Sequence, residues 1–298
     1  MVTVFLRGGL GNQMFQYAAG FSLAKKRNDA LSLDTVLLND RFPRPGFTYR
    51  TYDLDLFSIN PRLTKLSLLS GRIPLPGLWL GMDFIDMEVK VATGKKTIIR
   101  EKEIIKSDKS VFFQKEDVIL WGFWQSESYF EDYKDDVRTV FSFRFPLLGA
   151  ATVLAEEIKN SESVAIHVRR GDYLSKKNRK LYVVTDIDYY KRAISYIGKK
   201  INNPRYFVFS DDMEWCKKNL RLPASAVYAD AASSGEKGGD HLQLMSLCKH
   251  NIITNSSFSW WGAWLNKNKE KIIIAPQRWY TDPFPTSVDI VPGSWIKL

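Results

Sequence analysis

Two consecutive α/β domains, each a parallel sheet wound with helices on both faces, are the fold class this sequence predicts. Three observations predict it. The chain has 298 residues, enough for two cores of ordinary size. It opens on a strand, a glycine-rich loop, a helix and a second strand, the start of a βαβ unit. Its second half alternates short apolar runs with helical patterns, the arrangement that parallel pairing requires.

The first run, "VTVFL", is apolar without alternation, as in a parallel strand buried on both faces. "RGGLGN" follows, and from Gln13 to Lys26 apolar residues recur at helical spacing. "ALSLD" is the next strand. Residues 39–81, rich in Pro, Gly, Phe and Leu, are expected to form an irregular insertion with short helices. "DVILWGFWQ" reads as the last strand of this half, and "SESYFEDYKDDVRTVF" as a helix capped by Ser126. The pattern pauses at "FRFPLLGA", which places the boundary between domains 1–147 and 148–298. Beyond it, strands are expected at "SVAIHV", "RYFVFS", "SAVYA", "NIITN" and "KIIIAP". Helices between them are expected at "DYYKRAISYIG", "MEWCKKNL", "DHLQLMSLC" and "SFSWWGAWLN". Two doubly wound domains facing each other leave a cleft at the carboxyl ends of their strands, where ligands bind.

Composition narrows the function. A formal charge of +10 favours an anionic partner, but the lysines are spread thinly and no helix carries a basic stripe, so no nucleic-acid partner is expected. Two cysteines and three histidines make neither a disulfide framework nor a metal-ligand spacing. The chain begins at once with a strand, and no apolar run nears the length of a spanning helix, so it reads as cytoplasmic.

Polar clusters sit at the ends of three strands of the second half: "HVRRGD", "SDD" and "TNSS". In a parallel sheet such ends share one edge, so the clusters are expected to meet. Each suits part of a nucleotide. An arginine offers a planar fork of donors to phosphate. "TNSS" opening a helix offers hydroxyls, N–H groups and the positive end of the helix dipole. An aspartate accepts two hydrogen bonds from a guanine edge. The plainer readings are helix caps for Ser256 and for Asp211 or Asp212, a core position for His167, and neutralisation of an arginine for Asp172. "RGGLGNQ" lacks the Lys-Ser/Thr of a phosphate-binding loop and is a tight strand-to-helix turn that brings Arg7 and Asn12 toward the cleft.

Together "GGLGNQMFQYA", "WGFWQSESYF", "HVRRGDY", "FVFSDD" and "ITNSSFSWWGAWLN" resemble the α-1,2-fucosyltransferases of bacterial polysaccharide synthesis, in order and over nearly the whole chain. The resemblance implies a GT-B fold of two Rossmann-like domains. It implies inverting transfer of L-fucose from GDP-β-L-fucose to the 2-hydroxyl of a terminal β-galactoside, with no metal or other cofactor. By it, Arg169 holds the β-phosphate, His167 and Asp211 or Asp212 contact guanosine, Ser256 and Ser257 meet the pyrophosphate, and Asn255, Gly9 and Gly11 belong to the residues that bind GDP-fucose. Asn12 lies near the reacting fucose; Trp124, Gln125 and Glu127 belong to the acceptor side. Related α-1,6 enzymes carry a glutamate base shortly after this arginine, where the present loop reads "SKKNRK". Asp172 is the first candidate base and Glu127 the second, with a base-free dissociative route as the alternative. Arg170 is expected to point away and pair with Asp172. The basic balance suits a lipid-linked glycan at the inner face of a membrane, touched peripherally.

Two other classes compete. A metal-dependent GT-A transferase needs a DxD motif, and "DLD" (53–55) and "DID" (186–188) fit the letters, the second also as a helix start capped by Thr185 or Asp186. A non-catalytic GDP-sugar or glycan binder would use Trp121 and Trp124, or Trp260, Trp261 and Trp264, as stacking platforms. The last three lie at helical spacing, which favours a core.

Overall fold

The computed structural model describes residues 1–45, 48–101, 107–110, 116–233, 235, 238–282 and 289–298. The chain divides into two compact units, Met1–Arg144 and Phe145–Leu298, three residues before the sequence-based division.

The first unit runs β1 (Val2–Phe5), α1 (Leu10–Lys26), β2 (Leu31–Asp34), α2 (Val36–Asn39), β3 (Arg62–Leu63), α3 (Lys65–Arg72), α4 (Leu78–Ala92), β4 (Thr97–Arg100), β5 (Val118–Trp121) and α5 (Lys134–Val140). Its sheet has the order β3-β2-β1-β5-β4, every pair parallel. The second unit runs α6 (Ala150–Lys159), β6 (Ser163–Val168), α7 (Ile187–Lys200), β7 (Arg205–Ser210), α8 (Met213–Asn219), β8 (Val227–Tyr228), α9 (Gly239–Leu247), β9 (His250–Ile252), α10 (Ser257–Leu265), β10 (Ile273–Ala275) and β11 (Ile296–Lys297). Its order is β11-β10-β9-β6-β7-β8, again all parallel.

Strands β1 and β6 are buried along their whole length, which is why their sequences are apolar without alternation. In the second unit Val164, Ile166 and Val168 of β6 pack with Tyr190, Ala193 and Ile197 of α7. Trp260, Trp261 and Trp264 are buried too, and the indole N–H of Trp260 donates to the Ile290 carbonyl at 2.6 Å. They are core, not sugar platforms.

Some expectations give way. The helix foreseen over Ser126–Phe141 forms only as α5. Ser126 does cap, accepting the Ser128 N–H at 3.2 Å, but it caps a single 3₁₀ turn. Phe130, buried with φ −138°, stands between that turn and the next and interrupts the helix. The two-residue strands β3 and β11 lie at sheet edges and are too short to leave a pattern. The insertion at 39–81 contains α3 and the beginning of α4, whose apolar residues face outward and so concealed the helix.

Candidate active site

Sheet order decides where each unit gathers its polar residues. In the second unit the winding runs outward from β6 through β7 to β8, then restarts on the other side at β9. The switch point therefore lies between β6 and β9, where ligands of doubly wound sheets bind. "HVRRGD" leaves β6 there and "TNSS" leaves β9, with the aspartates of β7 next door.

These three clusters touch. The Nε and Nη2 of Arg169 reach one oxygen of Asp172 at 3.0 and 2.9 Å, and its Nη1 reaches Asp211 at 3.0 Å. Two carboxylates thus clamp one guanidinium that remains 28% exposed. The other oxygen of Asp211 accepts the Arg170 N–H at 2.9 Å. Asp212 caps α8 through the Trp215 N–H at 3.1 Å, and its second oxygen accepts Arg170 Nε at 3.2 Å, while the Arg170 guanidinium lies 4.2 Å from the Trp215 ring centre. The expected pairing is corrected: Asp172 holds Arg169, and Arg170 turns away to Asp212. The reason is the switch from β6 to a tight turn at Gly171, where any Cβ would come within 2.7 Å of the Asp211 carboxylate. Gly171 and Trp215 are parts of the site that sequence reasoning passed over; a glycine after paired arginines was the available signal.

From the β9 side, Phe258 sets its ring 5.7 Å from that of His167, and the Tyr173 hydroxyl donates to the Asn255 carbonyl at 2.9 Å. Ser256 stands at the N-cap of α10, but its hydroxyl makes no capping bond, so the cap reading fails there. Ser257 begins the helix behind it. Asn255 is used internally. Its amide donates to the Val183 and Trp279 carbonyls, both at 2.8 Å, and its oxygen accepts from Thr185 and Thr254. It is 1% exposed, so its side chain braces the loop and is not presented to a ligand.

His167 is buried, and its Nδ1 has no hydrogen-bond partner. Burial first, and then the Arg169 charge, lower its pKa to about 3, so the ring is neutral at working pH. Burial also lowers His241 and His250. At these three histidines the folded state therefore binds fewer protons than the unfolded chain below about pH 6.5, the unperturbed value. Stability present above that pH is lost as pH falls toward 3, at no more than about 1.4 kcal/mol per pH unit for His167. His167→Gln should flatten the acid side of a plot of urea midpoint against pH; an unchanged slope would show that His167 titrates normally.

The first unit has its own switch point, between β1 and β5. There Gln125 donates to Asn12 Oδ1 at 2.7 Å. Gly8, at φ +81°, puts the glycine loop in a left-handed turn, and a Cβ on it would lie 2.5 Å from the Asn12 amide nitrogen. Gly9 is the N-cap of α1, and Gly11 lies buried in that helix's first turn. Two glutamines of α1 hold the loop. Gln13 bonds the Gly8 and Thr51 carbonyls and the Asp53 N–H, while Gln16 bonds the Arg7 N–H and the Gly122 carbonyl.

Trp124 corrects another expectation. It is 1% exposed, edge-on to Tyr129 at 5.3 Å, and cannot offer a stacking face to a sugar. Its φ of +56° is unusual for a bulky residue. Glu101 holds that conformation by accepting the Phe123 and Trp124 N–H groups at 2.7 and 2.9 Å. Burial raises the Glu101 carboxyl and these two bonds draw it back. No sequence signal marked Glu101, which sits in a charged run. Trp121 stacks on Phe5 at 4.3 Å, and Glu127 is half-buried in the turn after β5.

The DxD alternatives dissolve locally. Asp186 caps α7 through the Tyr189 N–H at 2.8 Å, and Asp53 accepts the Thr51 hydroxyl at 2.6 Å. Among the described residues no three His, Cys, Asp or Glu side chains are grouped as metal ligands.

Two parallel Rossmann-like units, with an arginine clamped at the switch point of the second, make a GT-B-type fold. The solved fucosyltransferase NodZ from Bradyrhizobium has the same fold, with a TM-score of 0.51 at 15% identity over 88% of this chain and 91% of that one. The model of glycosyl transferase family 11 matches residues 1–298, and the chain belongs to that family. Over 299 residues it is 33% identical to an α-1,2-colitosyltransferase of Escherichia coli, covering 100% of this chain and 99% of the relative. It is 30% identical over 155 residues to the mouse galactoside α-(1,2)-fucosyltransferase 1, covering 49% of this chain and 41% of that protein.

Proposed function

We propose that the protein moves L-fucose from GDP-β-L-fucose to the 2-hydroxyl of a terminal β-galactoside, with inversion. The acceptor belongs to a polysaccharide or oligosaccharide, carried on a lipid and met at the inner face of a membrane. The observation that carries the reading is the Arg169 clamp at the second switch point, within a family whose relatives make α-1,2 linkages.

In the reaction the bond from fucose C1 to the diphosphate oxygen breaks, and the galactose 2-oxygen bonds C1 from the opposite face. Negative charge grows on the departing GDP. Arg169, already oriented by Asp172 and Asp211, meets that charge without having to reorganise, which is where a fixed cation lowers a barrier most. Ser256, Ser257 and the start of α10 receive the remaining phosphate oxygens. Neutral His167, whose buried Nδ1 is unpartnered, is the residue we assign to the nucleoside. Asp211 orients Arg169 with one oxygen and holds the Arg170 N–H with the other, so it positions the arginine and does not read the guanine edge. Asn12, held by Gln125, is the residue we assign to the reacting fucose, and Gly9 and Gly11 are assigned to the donor. With Asp172 engaged by Arg169, Glu127 is the carboxylate proposed to take the acceptor proton.

Purified protein with a β-galactoside acceptor, supplied in parallel with GDP-fucose and GDP-colitose, tests the donor; linkage analysis of the product tests the 2-hydroxyl. Turnover of GDP-colitose alone would overturn fucose as the donor sugar. GDP should inhibit at least about tenfold better than ADP or UDP, because a site built for one base leaves polar groups unpaired with another. Asp211→Asn should weaken all three nucleotides while leaving their ratio unchanged. A collapse of the ratio would return guanine recognition to Asp211.

A further inference from the structure

Helices α3 and α4 turn many of their large apolar side chains to the outside. Their inward side carries polar groups beside Met87, which packs with Phe5 and Ile119. Ser67, Ser70 and Asp83 are buried, the Thr35 N–H donates to Ser67 Oγ at 2.8 Å, and the Asn39 amide donates to Ser70 Oγ at 2.9 Å. Burial, then the charge of nearby Asp34, raises the Asp83 carboxyl to about 8. This side chain enters the interface as a neutral acid.

The outward side is apolar. Leu78, Met82, Ile85 and Val89 recur at steps of four, three and four, which sets them in one stripe along α4. They are 51, 43, 65 and 54% exposed. Ile73 and Leu75, in the turn between the helices, are exposed beside them, and the Trp79 indole N–H holds that turn by donating to the Ile73 carbonyl at 2.7 Å. A contiguous apolar face of this kind marks a partner or a bilayer.

Its border distinguishes the two. Arg62, Lys65 and Arg72 precede the stripe and Lys95 follows it, all exposed. Of the acidic residues in α4, Asp83 is buried and Asp86 is paired with Lys90, leaving Glu88. A second copy docked here about a two-fold axis would bring these cations against their own counterparts. Lipid phosphates would neutralise them while the stripe enters the boundary between headgroups and acyl chains.

We propose that the α3–α4 face seats the first unit on an anionic membrane surface. The inference deepens the lipid-linked reading of the acceptor above, although the face itself carries it. The test is sedimentation of the full chain with vesicles of phosphatidylcholine alone or with about a third phosphatidylglycerol, where binding should follow the anionic lipid and weaken several-fold in about 0.5 M salt. The double variant Ile85→Gln/Val89→Gln should lower the partition coefficient on the order of tenfold or more, since it removes the inserted side chains. Its circular dichroism and its turnover of a soluble acceptor should stay as in the unaltered protein. No binding by the unaltered protein would overturn the proposal, and so would undiminished binding by a folded double variant. A dimer that the double variant converts to monomer would assign the face to a second copy instead. Because turnover is read separately on a soluble acceptor, loss of the transfer reading and loss of the membrane reading are distinguishable.

Discussion

Arg169→Ala should lower turnover on the order of hundreds-fold or more, the usual cost of removing a principal charge partner of the transition state. The guanidinium is held from three nitrogens by Asp172 and Asp211, so its direction is fixed before any nucleotide arrives. Arg169→Lys should also be poor. An ammonium cannot span both carboxylates and still present donors outward, and it replaces a planar fork with a point charge. The effect should fall on kcat, with GDP binding weakened as well. Arg170→Ala is the natural control, because that side chain points to Asp212 and Trp215; its loss should cost local stability more than rate. If Arg169→Ala retained turnover near that of the unaltered enzyme, the proposed site would be in the wrong place.

Asp172→Asn should cost roughly ten- to a hundredfold in kcat/KM, as a charge-assisted contact to the key arginine is lost. As the positioning residue that the ion pair makes it, it should weaken GDP binding together with rate, and Arg169 should gain freedom. A general base behaves differently: its amide variant loses kcat steeply while GDP affinity and thermal stability hold. Isothermal titration with GDP beside steady-state kinetics separates the two. Unchanged GDP affinity with a collapsed kcat would restore Asp172 as the base and displace Glu127. Asp211→Asn should mimic the positioning outcome, since Asp211 holds the other edge of the same guanidinium and the turn at Arg170. The two substitutions should be less than additive, because both act through one side chain.

Much of the site was legible because β-strand ends are legible. "SVAIHV", "RYFVFS" and "NIITN" announce buried parallel strands by apolar runs, and the polar residues after them must then lie on one edge. Glu101 was not legible. Its partners, Phe123 and Trp124, are more than twenty positions away, and nothing in a charged run tells which carboxylate turns inward. Asn255 and Ser256 show the same gap from the other side. Both read as ligands or caps, yet burial and two carbonyl partners make one a brace, while the other leaves its cap position unused.

The sequence by itself determined the fold class, the strands at the heart of both sheets, the family resemblance and the three clusters that meet at the second switch point. Those follow from periodicity and from residue chemistry, which are local. Tertiary structure alone decided which aspartate takes which arginine, that Trp124 is interior, and that α4 turns its apolar stripe outward. Each depends on what lies across an interface from distant parts of the chain. A helical period tells that one face differs from the other, but only the packing of α2, α3 and α4 around Asp83 tells which face meets the protein. Likewise Arg169 and Arg170 are adjacent in the chain, and it is the neighbouring end of β7, brought alongside by parallel pairing, that sends them to different carboxylates.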